Sequence, residues 1–182
     1  AIGLAVAVTA APAAFAETPA NMLVIANRID DITTLDPAES FEFAGSDVSR
    51  NIYQKLVNFD PANLDAGYQP EIAESWAVSD NGTTITFTIR DGLKFHSGNP
   101  VTAEDAEFSL RRVMYLNKTP AFILTQFGWD KDNVDAHIKA TGPMTLMVKN
   151  NSDFSAGLLL NALSAGVGSV VDKKTVMSHA KD

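Results

Sequence analysis

An alternating segment preceded by a tight turn is the feature that most constrains the fold of this chain. Residues 83–90 read Thr-Thr-Ile-Thr-Phe-Thr-Ile-Arg, with an apolar side chain at every second position from Ile85 onward. This period predicts a strand with one buried and one solvated face. The segment follows Ala77-Val78-Ser79 across Asp80-Asn81-Gly82, and Asn-Gly supplies the positive φ angles of a tight hairpin. The sequence therefore predicts an antiparallel hairpin.

The segment after the hairpin has the local signals of a capped helix. Thr102 can act as an N-cap, and Asp105 follows three residues later, close to a capping box. Acidic residues also occupy the first turn, where the helix dipole favours negative charge. We therefore predict a helix over residues 103–115. The expected buried stripe includes Phe108, Val113 and Met114.

Weaker patterns predict further elements on both sides of the hairpin. A short apolar run at 22–26 is consistent with a buried first strand, and 144–149 reads as another strand. Helical spacing predicts helices at 46–57, capped by Ser46 or Asp47, and at 153–165. The apolar face of the first comprises Val48, Ile52, Tyr53 and Leu56. Short helical segments are expected at 71–76, on the surface, and within 121–127.

Composition excludes several classes of function. A 46% hydrophobic content is enough for an ordinary core, and a net charge of -8 argues against nucleic acid as a partner. The chain has no cysteine, which excludes disulfides, thiolate metal sites and thiol nucleophiles. Its three histidines lack paired ligand spacing on a helix. We expect no metal site and no cofactor.

Enzymatic activity is not signalled by the motifs of this chain. Asp91, His96 and Ser97 are close in sequence, but triads are defined by geometry, and no G-x-S-x-G elbow occurs. A turn before a proline is the favoured interpretation of His96 and Ser97. Glu71 and Glu74 are spaced i, i+3, which fits a short surface helix better than a facing pair of catalytic acids. No residue is predicted to be catalytic, and we expect a binding protein.

The first sixteen residues resemble part of an export signal. They are apolar, too short to span a bilayer, and end in Ala14-Phe15-Ala16, an A-x-A cleavage pattern. An N-terminal core strand or helix is the alternative interpretation. No cysteine follows the cleavage pattern, so a lipid anchor is not expected. The predicted location of the mature protein is the bacterial periplasm.

Four motifs in a fixed order identify a family resemblance. They are Leu35-Asp36-Pro37, Tyr53-Gln54-Lys55-Leu56-Val57, the run at 71–76 (Glu-Ile-Ala-Glu-Ser-Trp) and the run at 91–100 (Asp-Gly-Leu-Lys-Phe-His-Ser-Gly-Asn-Pro). Together they resemble the extracytoplasmic solute-binding proteins of the peptide and nickel class, the capture subunits of ABC importers. The second motif departs from the family's usual Tyr-Glu-Gly-Leu at Gln54 and Lys55. Ser97 and Asn99 replace the commoner Asp and Thr of the fourth.

This resemblance implies an α/β fold with mixed sheets flanked by helices, forming the N-terminal part of a two-lobed binding protein with an extra domain. Residues 1–16 would be a partial signal peptide and 17–54 the start of the first lobe. The extra domain would span 55–171, and 172–182 would begin the return to the first lobe. Family members are roughly three times as long, so we expect a fragment of a longer protein that is a monomer when complete.

The resemblance also implies a function and a ligand site. It predicts capture of di- or oligopeptides and delivery to an inner-membrane ABC permease, by ligand-driven closure of the lobes. The loop at 40–44 and the segment at 121–127 correspond to family segments that face the ligand. The expected ligand-binding residues are Phe41, Glu42, Phe43, Phe122 and Phe127. The alternatives are ordinary core residues for the phenylalanines and a solvated loop carboxylate for Glu42.

Other functions stay open at this point. The same family includes binders of nickel chelates, haem, opines and sugars. Outside it, the chain could be a secreted hydrolase domain, a sensor domain or a non-functional remnant.

Overall fold

The computed structural model describes residues 18–26, 28–79, 81–150 and 154–180. Within them, two antiparallel sheets form from six strands, one with the order β1-β2 and one with the order β3-β4-β6-β5. The strands are β1 Val57–Phe59, β2 Tyr68–Pro70, β3 Ala73–Val78, β4 Thr84–Ile89, β5 Ile138–Gly142 and β6 Thr145–Lys149. The α-helices are α1 Phe43–Ile52, α2 Ala103–Leu116, α3 Phe122–Thr125, α4 Val134–His137, α5 Ala156–Leu163 and α6 Lys173–His179. Short 3₁₀ helices lie at Leu64–Ala66, Thr119–Ala121 and Gly166–Gly168.

The predicted hairpin is confirmed as β3 and β4. Trp76 lies opposite Phe87 in the antiparallel pairing. The connecting turn closes with a 2.7 Å hydrogen bond from the Gly82 N–H to the Ser79 carbonyl, and Gly82 has a φ of 70° that suits glycine. Alternate side chains of β4 are buried, as the period of two predicts.

The capped helix is also confirmed, as α2. The Asp105 carboxylate accepts hydrogen bonds from the Thr102 N–H at 2.9 Å and from the Thr102 hydroxyl at 2.7 Å. Val113 and Met114 are buried, and Phe108 is half-buried. The helix packs against β5 and β6. Its buried side chains therefore share one hydrophobic core with those of β4 and β6.

The prediction of a buried first strand at 22–26 is wrong. Leu23 is 83% exposed, and this segment has no regular secondary structure. A buried strand needs a hydrogen-bonding neighbour and an apolar layer above it. The described residues offer this segment neither, so its apolar side chains face solvent.

The surface helix predicted at 71–76 is also wrong, because this segment enters β3. The Ile72 N–H donates to the Lys55 carbonyl at 2.9 Å, and the Ala73 N–H donates to the Leu56 carbonyl at 3.1 Å. The Glu71 carboxylate accepts from the Lys55 N–H at 2.8 Å. These bonds connect the segment to a distant part of the chain and hold it extended, which outweighs its local helical spacing.

The first predicted helix exists, but its boundaries differ. It begins at Phe43 with Glu42 as the N-cap residue, so neither Ser46 nor Asp47 caps it. It ends at Ile52 because Tyr53 is extended, with φ of -107° and ψ of 149°.

The apolar face predicted for this helix is correspondingly divided. Val48 and Ile52 are 36% and 47% exposed, whereas Leu56 is fully buried. Leu56 lies beyond the helix, where its carbonyl accepts from the N–H of Ala73, the first residue of β3. Its burial comes from this extended pairing and not from a helical stripe.

The remaining helices and strands agree in part with those predicted from the sequence. The strand at 144–149 is confirmed as β6, and the helix at 153–165 is confirmed within 156–163 as α5. The segment 121–127 is helical over α3. The sequence patterns do not predict strands β1, β2 and β5 or helices α4 and α6. Residues 1–16 lie outside the described part, and the division into domains stays a prediction.

Candidate functional site

A loop between residues 33 and 42 is held in place by the Glu42 carboxylate. This carboxylate accepts hydrogen bonds from the Thr33 hydroxyl at 2.7 Å, the Phe41 N–H at 3.1 Å and the Ser40 hydroxyl at 3.3 Å. The bond from Thr33 contributes most to lowering the pKa of Glu42. Glu42 therefore places an ionised carboxylate at the start of α1.

Two of the predicted site residues meet beside this loop. The ring centroids of Phe41 and Phe122 are 5.2 Å apart in a T-shaped arrangement. Phe41 is 48% exposed and Phe122 is 54% exposed, so both rings keep a free face. Phe43, which follows Glu42, is exposed as well. We refer to Phe41 and Phe122, whose rings are in contact, as the aromatic edge.

Phe127 lies elsewhere. It is 1% exposed, and its ring centroid is 5.6 Å from that of Trp129 and 5.2 Å from that of Phe154. This side chain offers no exposed surface in the structure. Its position is that of a core residue, which is the alternative stated for it from the sequence.

An ion pair attaches the loop to α2. The Arg112 guanidinium donates to both carboxylate oxygens of Asp36, at 2.8 Å to Oδ1. Burial opposes ionisation of Asp36, but the bonds from Arg112 outweigh it, and the pKa of Asp36 is lowered. Planar bidentate pairs of this kind fix geometry as well as charge. Arg112 is therefore a positioning residue that fixes this loop against α2.

A second carboxylate connects the loop at 91–100 to α6. Asp172 accepts from the Ser97 hydroxyl at 2.6 Å, the Asn99 amide at 2.8 Å and the Thr175 hydroxyl at 2.6 Å. It also caps α6 through the Thr175 N–H. The Ser97 hydroxyl thus helps to hold the loop at 91–100 against α6. Ser97 lies in a turn, as the sequence predicts.

We expect the hydrogen bonds that Asp172 accepts to make the free energy of unfolding depend on pH in the acid range. Although burial opposes it, hydrogen bonding from Ser97, Thr175 and Asn99 holds the pKa of Asp172 well below its usual range. A depressed folded-state pKa contributes stability above the unfolded value of about 3.9, and this stability is lost as pH falls through the folded pKa. The contribution is screened because the site is open to solvent, so it stays below about 1 kcal/mol.

Urea unfolding between neutral and strongly acidic pH measures this effect. Asp172→Asn should be less stable than the unmodified chain at neutral pH and should lose less stability on acidification. Asp65→Asn removes an exposed carboxylate and serves as the matched control. Parallel pH curves for the unmodified chain and Asp172→Asn would contradict the prediction.

No helix within the described residues is long and apolar enough to cross a membrane. Those residues also contain no cluster of three or more His, Asp or Glu side chains suited to hold a metal.

Comparison with solved structures defines the class of protein. The Escherichia coli murein tripeptide binding protein MppA superposes with a TM-score of 0.68 at 25% sequence identity, over 81% of this chain and 30% of that chain. The substrate-binding domain of an oligopeptide ABC transporter from Bacillus anthracis gives a TM-score of 0.69 at 24% identity, over 81% of this chain and 29% of that chain. The fold is that of part of a two-lobed periplasmic binding protein.

Sequence comparison defines the family. A family model described as "Bacterial extracellular solute-binding proteins, family 5 Middle" matches residues 67–181. The chain belongs to this family, and the predicted resemblance is confirmed.

Two curated relatives extend the match across the chain. A probable D,D-dipeptide-binding periplasmic protein of Escherichia coli K12 is 30% identical over 175 residues, covering 94% of this chain and 31% of the relative. A glutathione-binding protein of the same organism is 29% identical over 182 residues, covering 100% of this chain and 32% of the relative. The chain therefore spans about a third of the length of these relatives.

Proposed function

We propose that the protein captures short peptides in the periplasm and delivers them to an ABC importer in the inner membrane. The observation that carries this proposal is the aromatic edge beside the ionised Glu42 carboxylate. Rigid aromatic rings provide apolar contact at low entropy cost, which suits peptide side chains. A carboxylate can pair the ammonium group of a peptide. Relatives named for a dipeptide and a tripeptide support this class of solute.

The proposed mechanism requires a second surface that closes over the peptide. A zwitterionic peptide in a closed cleft needs a basic partner for its carboxylate, because an unpaired buried charge is expensive. We assign that partner to the second lobe of the longer protein. Closure is then a population shift, since the peptide binds the closed state more tightly than the open one. The permease would recognise the closed form.

A thermal-shift screen of the longer protein, with both lobes present, tests the class of solute. The panel comprises dipeptides and tripeptides, single amino acids, nickel–histidine, haem, opines and short sugars. A ligand that binds only the folded state raises the melting temperature by mass action. A rise confined to peptides would support the proposal. A rise with another solute would replace peptide as the substrate, and no rise with any solute would remove the capture function.

Phe122→Ala should weaken peptide binding about 5- to 30-fold, which corresponds to losing a contact worth about 1–2 kcal/mol. The exposed face of the ring is lost, whereas the fold should be little affected because the side chain is half-exposed. Isothermal titration calorimetry with a peptide that responds in the screen gives the dissociation constant.

The control for this prediction is Leu64→Ala. It also removes an exposed apolar side chain, at 67% exposure, but from a 3₁₀ helix outside the aromatic edge. Equal affinities of Phe122→Ala and Leu64→Ala would show that the aromatic edge does not contact the peptide.

A further inference from the structure

A small polar pocket lies between α1 and the 3₁₀ helix at Gly166–Gly168. Its volume is about 70 Å³. At about 30 Å³ for each water, this is room for two waters or for one small ion, and it is too small for a peptide. The pocket is therefore a different kind of site from the aromatic edge. Its polar lining includes Ser40, Ser46, Ser49, Arg50, Lys55 and Ser169.

One buried group in this lining lacks a partner within the described residues. Ser49 is 7% exposed, and its hydroxyl has no hydrogen-bond partner. Leaving a buried hydroxyl without a partner is costly, so such groups are usually hydrogen-bonded to protein, water or a ligand. Lys55 lines the same pocket and brings a positive charge to it.

The backbone holds Lys55 in this position. Its N–H donates to the Glu71 carboxylate at 2.8 Å, and its carbonyl accepts from the Ile72 N–H at 2.9 Å. Lys55 also forms an antiparallel bridge with Ser169, which lines the pocket as well. The position of the Lys55 backbone beside the pocket is therefore set by contacts within the chain and does not depend on a ligand.

The lining favours an anion. Arg50 and Lys55 are positive, and none of the residues that line the pocket is acidic. The Ser40 hydroxyl donates to Glu42 and the Ser169 hydroxyl donates to the Gly166 carbonyl, so these two are occupied. Arg50 forms an exposed ion pair with Asp47 at 4.0 Å. The donors left for a ligand are those of Ser46, Ser49, Tyr53 and Lys55.

We propose that this pocket binds a small oxyanion, of the size of phosphate, sulfate or acetate. The Lys55 ammonium and the Ser49 hydroxyl hold it, and Arg50, whose side chain is 73% exposed, lies at the entrance. The bound anion would join α1 to the Gly166–Gly168 turn and so stabilise the packing of the helix. This proposal does not depend on which solute the aromatic edge contacts.

Thermal unfolding of the full chain in phosphate, sulfate and acetate tests the site, with sodium chloride at matched ionic strength as the reference. We expect a saturable rise in melting temperature with at least one oxyanion that chloride does not produce. The oxyanion that responds distinguishes a tetrahedral anion from a carboxylate. Equal melting temperatures in all four salts would overturn the proposal.

Two variants assign the response to the pocket. Lys55→Met should weaken the oxyanion on the order of tenfold or more, because a hydrogen bond to a charged group is lost. Lys131→Met, which removes an exposed lysine, is the matched control and should respond like the unmodified chain. An unchanged response in Lys55→Met would overturn the proposal.

Ser49→Ala keeps the test decisive if Lys55→Met does not fold. Without oxyanion, its melting temperature should be equal or higher, because a buried hydroxyl without a partner has been removed. With oxyanion, its rise should be smaller than that of the unmodified chain. A rise as large as in the unmodified chain would overturn the role of Ser49.

Discussion

Replacing Phe87 by alanine is expected to lower the free energy of unfolding by about 3–5 kcal/mol. Phe87 is fully buried at the centre of β4, between Trp76 on β3 and Leu146 on β6. Its removal takes away apolar contact with both neighbouring strands and leaves a cavity that the sheet cannot close. Urea unfolding followed by circular dichroism measures the change.

Thr86→Ala is the matched control for this experiment. Thr86 is the preceding residue of β4 on the opposite face, and it is only half-buried. Its replacement should change the free energy of unfolding by no more than about 0.5 kcal/mol, as for most partly exposed positions. A similar loss in Phe87→Ala and Thr86→Ala would contradict the assignment of Phe87 to the core face of β4 and Thr86 to the opposite face.

Gly168→Ala should destabilise the chain by about 3 kcal/mol, at the upper end of what overpacking costs. A Cβ atom at this position would lie 2.0 Å from the carbonyl oxygen of Leu163, at the end of α5. The obstacle is backbone, which cannot rotate away as a side chain can. The turn or the end of α5 must therefore move, and a lower midpoint of urea unfolding reports the cost.

Gly166→Ala provides a control within the same 3₁₀ helix. A Cβ atom there would meet no heavy atom within 4 Å, and the backbone of Gly166 is not in the left-handed region. Such a replacement reduces the freedom of the unfolded chain and should leave stability unchanged or raise it by up to about 1 kcal/mol. If Gly166→Ala and Gly168→Ala were equally destabilising, the close approach at Leu163 would not be the cause.

The elements that the sequence predicts correctly are those with local determinants. The hairpin follows from alternation and from Gly82, and α2 follows from a cap that joins two residues three positions apart. By contrast, the segment at 71–76 is extended because its partners are Lys55 and Leu56, which no local pattern indicates. Strand β5 has a weak alternation of its own and is positioned by β6.

The residues predicted for the candidate site also fall into two groups, those that meet in the structure and those that do not. The resemblance indicated Phe41, Glu42 and Phe122, and the structure brings the first and last of these into contact. Phe127 lies only five residues after Phe122 but packs in the core, and spacing alone cannot distinguish the two positions. Their role in binding stays a prediction.

The oxyanion pocket could not have been found from sequence. Its walls come from α1, from Lys55 and from the turn that carries Ser169, and only tertiary pairing brings them together. Lys55 itself stood out in the sequence as a departure from the family motif, but nothing indicated that its side chain would be buried.

The strand order has a consequence for how the chain folds during synthesis. The partner of β4 on one side is β3, its immediate neighbour in sequence, but on the other side it is β6, which is made only after α2, α3, α4 and β5. The hairpin can form at once, whereas closing the longer loop is slower. Until β6 arrives, β4 has an unpaired edge and an uncovered apolar face. Such an edge can pair with another nascent chain, so this interval is when the protein is most prone to aggregate.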